Sequence, residues 1–327
     1  MLNEFSLISR YFSRPSQGPG SALLGVGDDC ALLAPRPGKV LAVSTDMLVE
    51  GRHFFAGTDA RALGHKTLAV NLSDLAAMGA SPRAFTLALA LPSIDEAWLE
   101  AFSAGLFALA DPAGCELIGG DTTRGPLTLC VTVFGDVDAG RALRRDAAQP
   151  GDDVWVSGTL GDARLALGAL RDEWTLSAAE LAETRRAMDW PEPQLALGMA
   201  LAGVAHAALD ISDGLAGDLN HILTRSNVGA CIDIDALPRS ATLTRQPSRI
   251  QRQCTIAGGD DYQLCFSAPA HARDAVLAAG RLAGTSVSRV GTITAFDTRA
   301  DATRIVWTDA GGQPLALALR GFDHFDD

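Results

Sequence analysis

Short apolar runs alternate with turns rich in Gly and Pro along the chain, and the period of the apolar positions changes from one run to the next. Leu2, Phe5, Ile8 and Phe12 recur at helical spacing, which predicts an amphipathic helix at the start. SRPSQGPGS (13–21) predicts a mobile loop, and KVLAVSTD (39–46) a buried strand. From Ala60 to Gly79 the helical period persists in a sequence apolar almost all round, so this helix belongs inside a core. RAFTLALALP (83–92) predicts a second strand. DEAWLEAFSAGLFALADPAG (95–114) predicts a helix with an acidic start and a Pro and Gly stop. CELIGG (115–120) and LTLCVTVFGDV (127–137) supply two further strands.

The polar stretch RALRRDAAQPGDD (141–153) ends in Pro-Gly and marks a boundary, giving domains over 1–148 and 149–327. Beyond it come a strand at 153–158, a helix from Asp162, an apolar helix at 194–205 and a strand at 207–212. A helix over 212–226 and strands at 230–238, 261–269 and 287–294 follow, the last two flanking a helix from His271 to Ala283. No repeat of fixed period interrupts this mixture of strands and helices. The fold class is therefore mixed α/β (α+β), in two domains, each long enough for its own core.

Acidic residues fall at unusual places in this pattern. GVGDDCALL (25–33), VSTDMLVEGRHF (43–54), VNLSDLAAMGA (70–80), IGGDTTRG (118–125) and LDISDGL (209–215) all set Asp at the end of an apolar run or inside a glycine-bearing turn. A carboxylate beside buried apolar sequence is costly unless a cation or hydrogen-bond donors meet it. Two such charges at ~5 Å repel by roughly 3 kcal/mol at an effective dielectric near 20. Each motif taken alone has a plainer reading: Asp28 and Asp29 as helix caps, Asp46 in an Asx turn, Asp213 as an N-cap. Asp74 resists one, because it stands mid-helix among Leu72, Leu75 and Met78 and needs a partner there. Asp121 follows Gly119 and Gly120, where the backbone can approach a ligand closely. If the acids converge they call for divalent cations, and Mg2+ suits oxygen-only donors that bridge to phosphates.

Composition narrows the classes. A net charge of −12 and scarce lysine, at Lys39 and Lys66, exclude a basic nucleic-acid-binding stripe. Six scattered cysteines form no CxxC pair and no zinc spacing, as expected of reduced core thiols. The start of the chain has no cationic segment before a long apolar one, and no run is long enough to span a bilayer, so a cytoplasmic protein without a membrane partner is expected. GxxxxGK[ST], the protein-kinase motif set, GxGxxG and GxSxG are all absent. Phosphate handling must then rest on metals and backbone amides.

Taken together, GVGDDCALL, STDMLVEGRHF, LAVNLSDLAAMGA, GGDTTRGPL, DISDGL and GGDDYQLCF resemble the thiamine-monophosphate kinase family, within the superfamily of aminoimidazole ribonucleotide synthetase. The resemblance runs in order from Phe5 to Phe322. It implies ATP-dependent phosphorylation of thiamine monophosphate to thiamine diphosphate with several Mg2+ ions. It also implies a homodimer whose N-terminal sheets pair into a barrel. Positions matching the family's metal ligands are Asp29, Ser44, Thr45, Asp46, Asp74, Asp121, Asp210 and Asp213, with Asp46, Asp121 and Asp210 central to catalysis. ATP contacts fall on Gly120, Asp121, Arg145 and Ser212, and substrate contacts on His53, Asp260 and Phe322. Two positions depart from the family pattern: GGDDYQL stands where GGEDYEL is usual, and Phe322 where Tyr or Trp is frequent. Two other readings remain open at this point: a synthetase of the same superfamily with a different acceptor, and a non-catalytic acidic metal-binding protein.

Overall fold

The computed structural model describes residues 4–14, 22–27, 29–296, 303–317, 319 and 321. It divides into two compact units, Met1–Leu75 with Ala80–Gly140, and Ala76–Gly79 with Arg141–Asp327.

In the first unit a short helix, α1 (Glu4–Leu7), continues as a π-helical turn over Ile8–Phe12. Strand β1 (Lys39–Val49), helix α2 (Ala60–Ala77), strand β2 (Ser81–Leu91), helix α3 (Glu96–Ala113) and strands β3 (Glu116–Arg124) and β4 (Thr128–Asp138) follow. The four strands form one sheet in the order β1-β4-β2-β3, so β1 and β3 are its two edges. α2 is buried on nearly every side, as its apolar sequence requires: Leu68, Leu72 and Leu75 are essentially inaccessible. α3 begins where the Asp95 carboxylate accepts the N–H groups of Ala97 and Trp98, satisfying two donors that the first turn leaves open. In β4 the odd positions Leu129, Val131 and Val133 are buried while Thr128, Cys130, Thr132 and Phe134 between and beside them are partly exposed, so the sheet has one covered face and one open face.

The second unit holds β5 (Asp152–Ser157), α4 (Asp162–Leu170), α5 (Ala178–Asp189), α6 (Leu195–Leu201), β6 (Ala207–Ile211), α7 (Leu215–Ser226) and β7 (Val228–Asp233). It continues with α8 (Ala241–Thr244), α9 (Ser248–Ala257), β8 (Gln263–Pro269), α10 (Arg273–Ala283), β9 (Val287–Ala295) and β10 (Ile305–Thr308). Its six strands run in the order β10-β7-β9-β5-β8-β6, antiparallel except for the β10–β7 pair. Alternation along the strands feeds two cores. Val154, Val156, Leu209 and Ile211 pack with α7 on one face, and Trp155, Ala208, Leu264 and Phe266 with α6 and α10 on the other. The backbone of Arg144 bridges in parallel to Ala207, which lays the 144–148 segment along the free side of β6.

Most expected elements form within a few residues of their predicted limits. α5, α8, α9 and β10 are not among the predicted elements. The loop expected at 13–21 lies outside the described residues from position 15 onward. Among the described residues no helix is long and apolar enough to cross a membrane. All six cysteines are free; burial pushes the thiols of Cys115 and Cys254 up to about 12, leaving them unreactive.

Candidate active site

In the first unit, strand alternation sends Ser44 and Asp46 of β1 to the face covered by α2, and Thr45 to the open face. The Ser44 hydroxyl donates a short hydrogen bond to the Asp74 carboxylate on α2, the partner that this mid-helix acid needs. One position along, the Asp46 N–H donates to Asn71 Oδ1 at 3.0 Å, and the Asn71 amide donates to Thr67 O at 3.0 Å, tying the strand to the helix. Thr45 Oγ1 and Thr132 Oγ1 lie 2.8 Å apart across the β1–β4 pair. Burial followed by the charge of Asp46 raises the Cys130 thiol above its ordinary value. His53 closes a tight turn after β1: its Nδ1 accepts the Val49 N–H at 3.0 Å, so a neutral ring carries its proton on Nε2.

Asp29 is exposed, within the stretch closed by the antiparallel Leu24–Leu32 bridge. No helix follows it, so the helix-cap reading of this acid does not hold; its neighbour Asp28 lies outside the described residues. Asp121 stands on β3 opposite Ala88, in the row that runs through Cys130 to Met47 on the open face. Asp46 and Asp121 therefore sit on opposite edges of the sheet and on opposite faces. Three strand spacings amount to about 14 Å, so one copy of this unit does not bring them together. Gly120 permits a close approach within the sheet itself. A Cβ there would stand 1.9 Å from the Leu87 carbonyl oxygen, so the missing side chain lets the neighbouring strand lie close.

In the second unit, Asp210 ends β6 with 5% exposure, and Ser212 and Asp213 form the turn into α7. The helix begins at Leu215, later than expected; its N-cap is Gly214, with no side-chain capping bond, so Asp213 is not a cap. Asp260 adopts φ 68 and donates its N–H to Ser212 O at 2.8 Å, which joins the substrate candidate to the same turn. Arg145 is exposed, and its carbonyl accepts the Ser226 hydroxyl at 2.8 Å, fixing it beside β6. Phe322 lies outside the described residues. Among the described residues no three His, Cys, Asp or Glu side chains are grouped tightly enough to hold a metal ion by themselves.

The two halves match the family models of AIR synthase related protein: the N-terminal domain over residues 27–137 and the C-terminal domain over residues 149–300. Thiamine-monophosphate kinase of Escherichia coli is 45% identical over 327 residues, covering 98% of both chains. The chain belongs to the thiamine-monophosphate kinase family. Its mixed α/β fold in two domains is shared with the family member from Stenotrophomonas maltophilia, at a TM-score of 0.81, 49% identity and coverage of 88% and 91% of the two chains. The structure of AaThiL complexed with AMPPCP and TMP aligns at a TM-score of 0.75, 28% identity and 89% of each chain.

Sequence reasoning missed two further acids of this family member. Asp218, on the inner side of α7, accepts the N–H groups of Ser212, Asp213 and Gly214 on one oxygen, each at 3.0 Å. Burial, then the charge of Asp213, push it up to about 7 against the pull of those three donors. Its signal was present: with Leu215, Leu219 and Ile222 it shares one helical stripe, an acid among apolar positions. Asp261 accepts the Gly161 N–H at 2.8 Å on one oxygen, while the other has no hydrogen-bond partner. Burial raises it well above its ordinary value. Being adjacent to Asp260 was its only sequence cue.

Proposed function

We propose that this protein transfers the γ-phosphoryl group of ATP directly to the phosphate of thiamine monophosphate, giving thiamine diphosphate and ADP. The observation that carries this reading is the near-complete alignment with the E. coli thiamine-monophosphate kinase, 45% identical over 98% of both chains. The complex of AaThiL with AMPPCP and TMP supports the same pair of substrates. Residues 1–148 would carry the metal and ATP phosphates and the dimer surface, and residues 149–327 would close the substrate site.

The candidate metal ligands fit Mg2+ in kind: Asp29, Ser44, Thr45, Asp46, Asp74, Asp121, Asp210 and Asp213 offer carboxylate and hydroxyl oxygens and no soft donor. The Ser44–Asp74 bond and the Asp46–Asn71 link hold part of this oxygen set ready on strand and helix rather than on loops. When bound, Mg2+ neutralises charge between the two polyanions and aligns an in-line displacement. Gly120, Arg145 and Ser212 would contact ATP, and Arg145 supplies a planar cation for its phosphates. His53, with its proton on Nε2, presents a donor to the thiamine monophosphate, beside Asp260 and Phe322. The acceptor is a phosphate monoester with a second pKa of ~6, largely dianionic at neutral pH, so the chain needs no general base. That agrees with a site rich in Asp. Positioning and electrostatics then account for the rate.

A homodimer completes this reading. Leu41, Val43 and Met47 of β1 are each about half exposed on the open face of an edge strand. Exposed apolar edges of this kind are normally covered, and pairing two sheets edge to edge would cover both. It would also set β3 of one copy, which carries Asp121, against β1 of the other, which carries Asp46.

The test is an assay for thiamine diphosphate formed from thiamine monophosphate and ATP, with and without Mg2+. One ADP released per thiamine diphosphate, only with the metal, is the expected result. ATP consumed with a formylglycinamidine-type acceptor but not with thiamine monophosphate would replace the reading by that of a related synthetase.

A further inference from the structure

Two backbone segments meet around the turn between β6 and α7. The turn itself, Ser212 to Gly214, points three successive N–H groups inward, and all three end on Oδ2 of Asp218 at 3.0 Å. From outside, the segment before β8 is fastened to the same turn: Asp260 N–H to Ser212 O and Tyr262 N–H to Ile211 O, both at 2.8 Å. Gly259 permits this approach, since a Cβ there would sit 2.2 Å from Ser212 O. Asp260 and Tyr262 hold φ values of 68 and 51, a backbone conformation that non-glycine residues adopt at a cost. Such strain persists where surrounding contacts over-determine it, and the contacts here lead to Asp218.

Asp218 is itself expensive. It is 5% exposed, on a helix stripe whose other members are leucine and isoleucine, where an apolar residue would be the stable choice. It is also not needed as a conventional cap, because one acceptor per helix start is the usual arrangement and this oxygen gathers three donors. Convergent amides on one carboxylate oxygen fix a turn's direction, and this turn carries Ser212 and Asp213 and directly follows the strand that bears Asp210.

We propose that Asp218 is a positioning residue for phosphoryl transfer: its buried carboxylate sets the Ser212–Gly214 turn and, through that turn, the strained segment bearing Asp260. This rests on the function proposed above. It predicts coupled defects on both sides of the reaction, in Mg2+ use and in the KM for thiamine monophosphate, from one residue that touches neither.

The experiment compares wild type, Asp218→Asn and Asp218→Ala by three readouts: amide hydrogen exchange of the metal-free protein, titration with Mg2+ alone, and steady-state kinetics. In wild type the amides of residues 212–214 exchange at least ~100-fold more slowly than those of an open loop. Asp218→Ala loses that protection, weakens Mg2+ binding ~10- to 100-fold and raises KM while lowering kcat. Asp218→Asn keeps an oxygen acceptor, restores the protection and stays within about threefold of wild-type Mg2+ binding, which a loss of core packing alone would not produce. A folded Asp218→Ala with wild-type Mg2+ binding and KM overturns the proposal. So do unprotected 212–214 amides in wild type, a measurement that stands even if Asp218→Ala does not fold. Absence of thiamine diphosphate from wild type would instead refute the proposed activity, leaving exchange and Mg2+ binding to decide the role of Asp218.

Discussion

Asp74 and Asp218 are both carboxyl groups on buried helices, and they differ in what answers their burial. Asp74 meets a hydroxyl from the neighbouring strand, while Asp218 meets three backbone amides, against which the like charge of Asp213 works. The first could be anticipated, because an acid among Leu72, Leu75 and Met78 demands a partner. The identity of that partner could not, since Ser44 is thirty residues away and reaches it only through the packing of β1 on α2. Asp218 carries a consequence for pH. With a value of about 7 against 3.8, the folded protein retains a proton that the unfolded chain releases above about pH 4. Stability contributed by this group is thus greatest below pH 4 and declines as pH rises to about 7, by an amount on the order of a few kcal/mol. Asp261 and Asp162, both raised by burial, act in the same direction. Melting of the metal-free protein between pH 5 and 8 should show wild type losing stability with rising pH more steeply than Asp218→Asn. Parallel slopes would mean that Asp218 is ionised throughout.

At the scale of elements, strongly patterned segments were legible and weakly patterned ones were not. α2 and α3 announced themselves by uninterrupted apolar period and by the Asp95 start, and they form as expected. α9, SRIQRQCTIA, is polar along most of its length, and only Ile250 and Cys254, four residues apart, mark the narrow stripe that packs with Leu165 of α4. α5 was readable in principle, for Ser177 and Glu180 make a full capping box. β3 runs further than its apolar pattern predicts: Gly120 lets β2 lie close, and the strand continues four residues past it, to Arg124. Gly119 and Gly120 should therefore respond differently. Gly120→Ala puts a methyl against the Leu87 backbone and should cost about 3 kcal/mol in urea unfolding. Gly119→Ala, whose Cβ would meet only the Thr86 methyl at 3.8 Å, should stay within ~1 kcal/mol of wild type. Equal losses would show that β3 is not held against β2 in this register.

For the whole molecule, the decisive fact is the strand order of the first sheet. The acidic motifs suggested a shared pocket, but spacing along a chain cannot say which strands are neighbours, and the order β1-β4-β2-β3 parts Asp46 from Asp121. In the homodimer proposed above, a site that uses both draws one of them from each copy. This makes a prediction that no single-chain site shares. Asp46→Asn and Asp121→Asn should each fold, dimerise and fail to produce thiamine diphosphate. Dimers assembled by co-expressing the two variants place an intact Asp46 from one copy opposite an intact Asp121 from the other in one of their two sites. Random assortment makes half of all dimers mixed, so about one quarter of wild-type activity should return, given two independent sites related by twofold symmetry. Were both acids drawn from the same copy, each site in a mixed dimer would lack one of them, and the mixture would stay as inactive as its parents. Sedimentation of the same samples separates the outcomes further: recovery must track the mixed dimer, and a monomeric wild type that nonetheless turns over would place both acids in one chain.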